Sequence, residues 1–421
     1  MTADANRTNF GSGVVVGLGL ISLAMIVLAF VRVVGWDATW RAFGVTPLDP
    51  PFFDMHVIND YAACAAKGID PYNPHSCSGV NFNIPPTWLW LGRFGIETSH
   101  SAWMSLILVS AAAAVMVMLF RGRSWSTGLL ALAAIASPSV MMGVERGNLD
   151  LLVLAVVGAS ALIYDERRFW RAFAALGILS LGITLKLIPI FCVSLIARFS
   201  KRALIASCIL FAIGCTYLIA TLPFIILIRR NVPTTFILSY GYKAIFLGMD
   251  HMRGEAGLVL WWSAHTWLPL LTAALVLSCA VVVAARNISN QQPFCVVDAS
   301  SAGTAFLFGA GIYCGTYLLG TNFIYRLMFL LLCVPQLLDW LLRNCDTTSW
   351  RRAAGLLATI LGVLWVNGNP NGHSSFLLYP QVLNWILFFF LSSVLILNFL
   401  HQVRLYKSVQ HVAAPRASST A

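Results

Sequence analysis

Charged residues are scarce in this sequence of 421 residues: Asp, Glu, Lys and Arg make up 10% of it, whereas 59% of the residues are hydrophobic. Soluble domains average about 25% charged and about 45–50% apolar residues. A chain with so few charges lacks the polar surface that a water-soluble fold requires. The composition therefore predicts an all-α polytopic membrane protein, in which about 20 apolar residues per helix cross ~30 Å of hydrocarbon.

Several familiar sequence patterns are also missing, and each absence excludes a class of protein or site. The net charge is +11, but the basic residues lie singly between apolar stretches and form no basic face, which excludes nucleic acid as a partner. No Cys and His spacing suits zinc, and no Asp-x-Asp pair stands at a predicted outer helix end. We therefore expect neither a metal nor another cofactor. The first apolar stretch is too long for a removable signal peptide and lacks its cleavage pattern.

Apolar segments recur along the whole chain and predict a single domain, residues 1–421, with about 12 transmembrane helices. The stretch 171–198 fits one long helix or two short ones broken near Pro189, and only the second version keeps the later basic clusters on one side of the membrane. The predicted segments are 13–36, 100–120, 126–143, 149–164, 171–185, 187–198, 203–228, 266–285, 301–319, 323–342, 352–366 and 380–400.

Basic residues concentrate in short turns on one side of this arrangement, which the positive-inside rule assigns to the cytoplasm. With both termini inside, residues 37–99 form a long first outer loop, residues 229–265 a second outer segment, and residues 404–421 a cytoplasmic polar tail. Because loops on a rigid scaffold carry function, the expected working face is the periplasmic side of a bacterial inner membrane. One elaborate face favours an enzyme over a carrier, since carriers usually elaborate both.

The first outer loop contains the acidic stretch FFDMHVINDYAACAAKGIDPYNP, in which residues 54–67 predict a short helix. The residues three, four and seven places after Asp54 are apolar: Val57, Ile58 and Tyr61. Asp54 therefore shares the docked face, whereas Asp60 is rotated by about 240° and points elsewhere. A carboxyl group on a buried face suits a general base, because burial raises its pKa. The alternative is that Asp54 only caps the helix.

Three further polar clusters interrupt apolar helices at predicted outer ends, where charges are costly and tend to mark function. They are VERGNLD with Glu145, Arg146 and Asn148, ITLKLIPI with Lys186, and GTYLLGTNFIYRLMF with Asn322, Tyr325 and Arg326.

Three of these residues, Arg146, Lys186 and Arg326, come from separate turns, and their convergence would create an anion site. Guanidinium groups grip phosphate with forked hydrogen bonds, and lysine adds a point charge. An anion beside long apolar helices indicates a lipid phosphate. The alternatives are an internal Glu145–Arg146 pair with helix capping, and a Lys186 that only snorkels outward.

Two residue types in the outer segments leave alternatives open. Cys64 and Cys77 share the first outer loop, where a disulfide is permitted, although two unpaired small residues are also compatible with the pattern. Four tryptophans either stack on a sugar or mark the aromatic belt of the membrane interface, and we favour the belt. They are Trp88, Trp90, Trp261 and Trp262.

Four motifs occur in an order that is typical of one family. They are an Asp sixteen residues before Asp-Pro-Tyr (Asp54 to Asp70-Pro71-Tyr72), FNIPP at 82–86, Arg-Gly-Asn at 146–148 and Leu-Lys-x-x-Pro at 185–189. In this respect the sequence resembles the polyprenol-phosphate-dependent mannosyltransferases of glycosyltransferase family 87, which are similar to the wider GT-C class. The resemblance is clearest over residues 50–190. Many members of the family have Gly-Gln where this sequence has Glu145-Arg146. Because of this departure, the resemblance does not fix the identity of the donor sugar.

The resemblance implies a GT-C-like bundle that moves a hexose, with mannose favoured, from a polyprenyl-phosphate donor to a hydroxyl of a glycan or glycolipid acceptor, among membrane lipids. It places Asp54 as the general base, with Asp60 as the fallback, and inversion at the anomeric carbon. Arg146, Lys186 and Arg326 would bind the donor phosphate. The expected substrate-binding residues are Tyr72, Glu145, Asn148, Asn322 and Tyr325.

Two other functions compete with this one. A transporter or flippase of a lipid-linked sugar also has many crossings and intramembrane charges, but it needs function at both faces. A polysaccharide polymerase or ligase shares the topology and uses an undecaprenyl diphosphate donor.

Overall fold

Helices make up about four fifths of the chain that the structure describes. A computed structural model describes residues 11–73, 77, 82–231, 236–255, 267–289, 296–342, 347–366 and 378–413. The α-helices in these ranges are α1 Gly11–Val34, α2 Trp36–Ala42, α3 Phe53–Ala66, α4 Ser101–Phe120, α5 Trp125–Ile135, α6 Pro138–Glu145, α7 Asp150–Ile163, α8 Phe169–Leu185, α9 Lys201–Ala220, α10 Leu222–Asn231, α11 Ala244–Glu255, α12 Leu268–Ser289, α13 Ser301–Leu318, α14 Val334–Leu342, α15 Thr347–Val366 and α16 Tyr379–Ala413. The 3-10 helices are Pro86–Phe94, Thr98–His100, Ile188–Arg198 and Ile324–Leu332. Strands β1 Ser239–Tyr240 and β2 Asn322–Phe323 pair antiparallel.

Among the residues that the structure describes, five helices are long and apolar enough to cross a membrane, namely α1, α4, α9, α12 and α16. Two bent pairs, α5 with α6 and Ile324–Leu332 with α14, raise the number to seven if each pair is one span. The chain is thus an all-α polytopic membrane protein, but the predicted number of twelve spans is not confirmed.

The number of candidate spans is smaller than predicted mainly because several predicted spans are short helices that end at polar residues. α7 has 14 residues and α8 has 17, so α7 extends about 21 Å at 1.5 Å per residue. The predicted break in 171–198 is present: α8 ends at Leu185 and a 3-10 helix begins at Ile188. The break lies at Lys186, before Pro189, and it places this cation at a helix end. α7, α8 and the 3-10 helix Ile188–Arg198 are shorter than the candidate membrane spans. The termini of α7 and α8 carry polar residues.

The centre of the bundle is α13, which is buried on nearly all sides. Its glycines permit the close packing, because a Cβ at Gly311 would lie 2.5 Å from the Phe191 carbonyl oxygen and one at Gly315 would lie 2.1 Å from the Phe191 ring. Small residues bring helix backbones together in this way in membrane proteins. α13 therefore forms the support against which the 3-10 helices Ile188–Arg198 and Ile324–Leu332 pack.

Charged residues lie near the helix termini, and these termini are located at two ends of the bundle. At one end, here called the site end, α6, α8 and α13 finish and α3 and α7 begin. The other end, here called the basic end, carries an ion pair between Arg123 and Asp339 (Nε to Oδ1, 2.7 Å). Basic residues at that end are Arg121, Arg123, Arg167, Arg168, Arg171, Arg198, Lys201, Arg202, Arg286, Arg351, Arg352 and Arg404. All of them lie on the side of the predicted arrangement that the positive-inside rule assigns to the cytoplasm.

The first predicted outer loop is largely helical. The helix predicted over residues 54–67 is α3, and Val57, Ile58 and Tyr61 are buried. α3 packs against the 3-10 helix Pro86–Phe94. This contact needs glycine at position 92, since a Cβ there would lie 1.9 Å from the Ala62 carbonyl oxygen. The loop is therefore a packed cover over the site end.

Other predicted segments are described only in part. The second outer segment, predicted over 229–265, is described at 229–231 and 236–255, so Trp261 and Trp262 lie outside the described residues. α16 continues through Ala413, so the first ten residues of the predicted tail 404–421 are helical, and residues 414–421 lie outside the description.

Candidate active site

Polar side chains from five separate elements meet at the site end. They come from the start of α3, the turn between α6 and α7, the first residue of α7, the end of α8 and the 3-10 helix Ile324–Leu332. The residues are Asp54, Arg146, Asn148, Asp150, Lys186 and Arg326. The structure thus brings together Asp54, Asn148 and the three cations that sequence analysis predicted to converge.

The start of α3 is attached to the α6–α7 turn. The backbone N–H groups of Asp54 and Met55 donate to the Arg146 carbonyl oxygen at 3.0 and 3.4 Å, which satisfies two of the donors that a helix N-terminus leaves free. Gly147, with φ +58°, allows this approach, because a Cβ there would lie 2.0 Å from the Ser105 Oγ. The backbone therefore determines where the Asp54 carboxylate lies.

Asn148 holds that carboxylate from the side. Its Nδ2 group donates to Asp54 Oδ2, and its Oδ1 accepts from the Asp150 backbone N–H at 2.8 Å. Because a backbone N–H can only donate, the amide orientation is determined and its N–H group faces Asp54. Asn148 thus positions Asp54 and also binds the backbone N–H of the first residue of α7.

The surroundings of Asp54 act on its pKa in opposite directions. Burial raises the pKa of the carboxyl group above the ordinary value of 3.8, and this is the largest effect, while the charge of Arg146 and the hydrogen bond from Asn148 lower it. A raised pKa makes a carboxylate a stronger proton acceptor than an ordinary aspartate. The environment therefore fits proton acceptance better than the helix-capping alternative.

Asp150 is the centre of the cationic cluster. Its side chain is fully buried and contacts two cations: Lys186 Nζ lies 2.7 Å from Oδ1, and Arg326 Nε lies 3.4 Å from Oδ2. It is also the first residue of α7, where a negative charge interacts favourably with the helix dipole. The simple snorkelling alternative for Lys186 does not fit, because its ammonium group binds a buried carboxylate.

Arg326 is held by a second contact. Its Nη1 donates to Asn322 Oδ1, and Asn322 Nδ2 donates to the Thr316 carbonyl oxygen at the end of α13, at 2.6 Å. Asn322 in turn lies in β2, paired with Tyr240 of β1. Asn322, predicted to bind substrate, thus orients an arginine of the cluster.

Arg146 differs from the other two cations. Within the described part of the chain, no carboxylate oxygen lies within 4.0 Å of its guanidinium group. The group lies 5.9 Å from the ring centroids of both Phe323 and Tyr325, which places the predicted residue Tyr325 at the site. The ion pair between Glu145 and Arg146 that the alternative interpretation required is also absent from the described part of the chain. No carboxylate there neutralises the guanidinium group of Arg146, so the group is available to an incoming anion.

The segment around Pro85-Pro86 holds the backbone next to Lys186. Thr87 Oγ1 donates to the Thr184 carbonyl oxygen at 3.0 Å, and Trp88 Nε1 donates to the Leu185 carbonyl oxygen at 2.9 Å. These bonds satisfy carbonyl groups that the end of α8 leaves free. Trp88 is buried and serves this purpose, whereas Trp90 is 56% exposed.

The remaining predicted residues lie in supporting positions. Glu145 is fully buried and its Oε1 accepts from the Leu48 backbone N–H at 3.0 Å, so it attaches the first outer loop. The Tyr72 hydroxyl donates to the Ile84 carbonyl oxygen at 3.0 Å. No hydrogen bond or ion pair in the described part of the chain links Asp60 to the cluster. Cys64 and Cys77 form a disulfide, with Cα atoms 6.3 Å apart, which ties the end of α3 to the loop.

Asp150 is the last residue of the VERGNLD cluster, and the sequence alone predicts no role for it. Its position at a helix start, two residues after Asn148, was visible, but its pairing with Lys186 and Arg326 spans long stretches of chain. Only the packing of α7 beside α8 and α13 reveals it. Within the described ranges, no group of three or more His, Cys, Asp or Glu side chains suited to a metal ion occurs.

Comparison with known proteins gives one match. A family model described as glycosyltransferase family 87 matches residues 84–310, a range that contains Arg146, Asn148, Asp150 and Lys186. Searches of curated proteins and of solved structures find no match.

Proposed function

This chain belongs to glycosyltransferase family 87, and from that premise we propose that it is a membrane enzyme that moves a hexose, with mannose favoured, from a polyprenyl-phosphate donor to an acceptor hydroxyl. The acceptor is a glycan or glycolipid. One observation carries the proposal: at one end of a transmembrane bundle, the half-buried carboxylate of Asp54 lies next to three cations and the buried acid Asp150.

Asp54 is the proposed general base. Its carboxylate takes the proton of the acceptor hydroxyl, and the oxygen attacks the anomeric carbon of the donor. The bond from that carbon to the phosphate oxygen breaks, and the electron pair leaves with the polyprenyl phosphate. Because the nucleophile enters opposite the leaving group, the anomeric configuration is inverted.

The cluster is the proposed donor-phosphate site. The phosphate gains negative charge as the bond breaks, so fixed positive charges that face it lower the barrier. Asp150 neutralises one of the two cations it binds, and it holds Lys186 and Arg326 together without a ligand. Arg146, which lacks a carboxylate partner in the described part of the chain, is the proposed first contact of the phosphate. Tyr325 and Phe323 beside it are the proposed wall of the sugar site.

The proposed location is a bacterial inner membrane with the site facing the periplasm. The basic end carries the clusters that the positive-inside rule assigns to the cytoplasm, and the site lies at the other end. The Cys64–Cys77 disulfide belongs to the site-end loop, and disulfides persist in oxidising compartments. Both observations support the same orientation.

The decisive experiment replaces Asp54 by Asn and assays the purified protein with mannosyl, glucosyl and arabinosyl polyprenyl phosphates. The amide is isosteric, and its oxygen still accepts the hydrogen bond from Asn148, but it cannot take a proton. We expect transfer to fall about 10²-fold or more, with thermal stability and donor binding unchanged. Near-normal turnover by the variant would overturn Asp54 as the base.

The same assay tests the alternatives. Transfer from none of the three donors by the wild-type protein, together with transfer from a diphosphate donor, would instead support a polymerase or ligase. Movement of a lipid-linked sugar across liposomes without glycosidic bond formation would support a flippase.

A further inference from the structure

A groove lies far from the proposed active site, near the basic end, between α12, α15 and α16. Its volume is about 410 Å³. The groove forms because α16 packs against both α12 and α15, whereas α12 and α15 make few contacts with each other. α12 and α16 are long enough to cross a membrane, so the groove opens between membrane-crossing elements.

The walls of the groove are apolar. Leu356 and Val394 are buried and form the base, while Phe390 is 43% exposed. Gly355 faces the open space of the groove, because a Cβ built there would meet no atom within 4 Å. Along α15 the lining extends from Arg351 to Thr359, which is about 12 Å at 1.5 Å per residue. The groove thus has the length and surface for part of an acyl chain.

The mouth of the groove is cationic. Arg351 and Arg352 both line it, at the first turns of α15, and none of the described residues that line it is acidic. Arg351 is exposed, and it forms no ion pair within the described part of the chain. An apolar groove with arginines at one end matches an amphipathic ligand with an anionic head. Basic pockets between transmembrane helices bind anionic lipid head groups in other membrane proteins.

We propose that this groove is a binding site for one anionic phospholipid of the surrounding bilayer. One acyl chain lies along Gly355 and Phe390, and the head-group phosphate contacts Arg351 and Arg352. The site lies at the opposite end of the bundle from Asp54, so it is separate from the donor-phosphate cluster and does not depend on the proposed glycosyl transfer.

The test measures lipid binding to the purified full-length chain in detergent by native mass spectrometry. Phosphatidylglycerol and phosphatidylcholine with identical acyl chains are the two probes. We expect the wild-type protein to bind one phosphatidylglycerol at least tenfold more tightly than phosphatidylcholine. Each arginine near a lipid phosphate contributes a several-fold gain in affinity, so Arg351→Gln with Arg352→Gln should abolish this preference.

The apolar wall is tested with a matched pair of glycine substitutions. Gly355→Leu fills the groove, whereas Gly177→Leu adds the same side chain to an exposed helical glycine of α8 that also has open space around it. We expect Gly355→Leu to weaken phosphatidylglycerol binding about tenfold and Gly177→Leu to leave it unchanged, with both variants unfolding at the wild-type temperature.

Two outcomes would overturn the proposal. Equal binding of both lipids by the wild-type protein would remove the anionic preference. A change in oligomeric mass with Gly355→Leu, without any change in lipid binding, would show that a second copy of the chain occupies the groove.

Discussion

At the scale of single residues, Asp54 combines two requirements that oppose each other. A base has to be ionised before it can accept a proton, yet burial favours the neutral carboxyl group. Asn148 and Arg146 stabilise the ionised form, and burial still dominates, so the pKa remains above 3.8. The result is a carboxyl group that binds a proton more tightly than an exposed aspartate does.

This balance predicts the pH dependence of the proposed transfer. Only ionised Asp54 accepts a proton, so kcat/KM should fall as the pH is lowered through a pKa above 3.8 and should be level at higher pH. The same shift has a stability consequence: the folded chain holds this proton more tightly than the unfolded chain, so the contribution of Asp54 to the free energy of unfolding decreases as pH rises from 3.8 through the raised pKa.

The measurement is a pH profile of kcat/KM for the wild type and for Asp54→Glu, which keeps a carboxyl group. We expect both to show an acidic limb, displaced from one another. A wild-type limb centred at or below 3.8, or identical limbs in the two proteins, would show that a different group titrates.

At the scale of elements, helix termini create the site. The N-termini of α3 and α7 and the C-termini of α6 and α8 present backbone groups that have no intrahelical partner. For α3 and α8 a neighbouring segment supplies the partner: Arg146 does so for α3 and Trp88 for α8. These backbone hydrogen bonds hold the helix termini in place, and they therefore fix where the polar side chains at the termini lie.

The 3-10 helix Pro86–Phe94 provides a test of this positioning, since it contains two tryptophans in different settings. Trp88→Phe removes the donor to the partly buried Leu185 carbonyl oxygen, and leaving a fully buried group unpaired would cost about 1–3 kcal/mol. We expect a lower unfolding temperature and a higher KM for the donor, because Lys186 follows Leu185 directly.

Trp90→Phe is the matched control. Trp90 is 56% exposed, and its ring contacts Arg93, with the guanidinium carbon 4.1 Å from the centroid. Phenylalanine keeps an aromatic face there, so stability and KM should not change. Equal effects of the two substitutions would show that the Trp88 hydrogen bond has no role in holding Lys186.

At the scale of the whole molecule, the two ends of the bundle have different chemistry. The site end combines acids with partly buried cations beneath a packed loop, while the basic end consists of short turns rich in arginine. α4 joins the two ends with 20 residues, a length of about 30 Å that matches the hydrocarbon thickness. This asymmetry is the physical basis for the proposed orientation.

The orientation is tested with two serine substitutions at the two ends of α4. Ser99→Cys lies before α4 at the site end and Ser126→Cys lies beyond it at the basic end, and both serines are exposed. In intact cells, a membrane-impermeant thiol reagent should label Ser99→Cys above the wild-type background and should label Ser126→Cys only after permeabilisation. The reverse pattern would place the site in the cytoplasm.

Several features could be predicted from the sequence because they depend on local chemistry. Scarcity of charge determined a membrane-embedded helical protein, and the period of apolar residues after Asp54 predicted α3 with its buried face. The lone Lys186 before Pro189 indicated a helix end. The order of short motifs indicated the family that the comparison then confirmed over residues 84–310.

Other features were decided only by the tertiary structure, because they join residues that are far apart in the chain. Hydropathy cannot separate a crossing helix from a buried one, so the central helix α13 and the short α7 and α8 appeared as ordinary spans. No local pattern shows that Asp150 contacts both Lys186 and Arg326, that Arg146 lacks a carboxylate partner in the described part of the chain, or that Asn148 joins Asp54 to α7. Those contacts arise where helix termini meet, and their energies depend on burial that exists only after the bundle has packed.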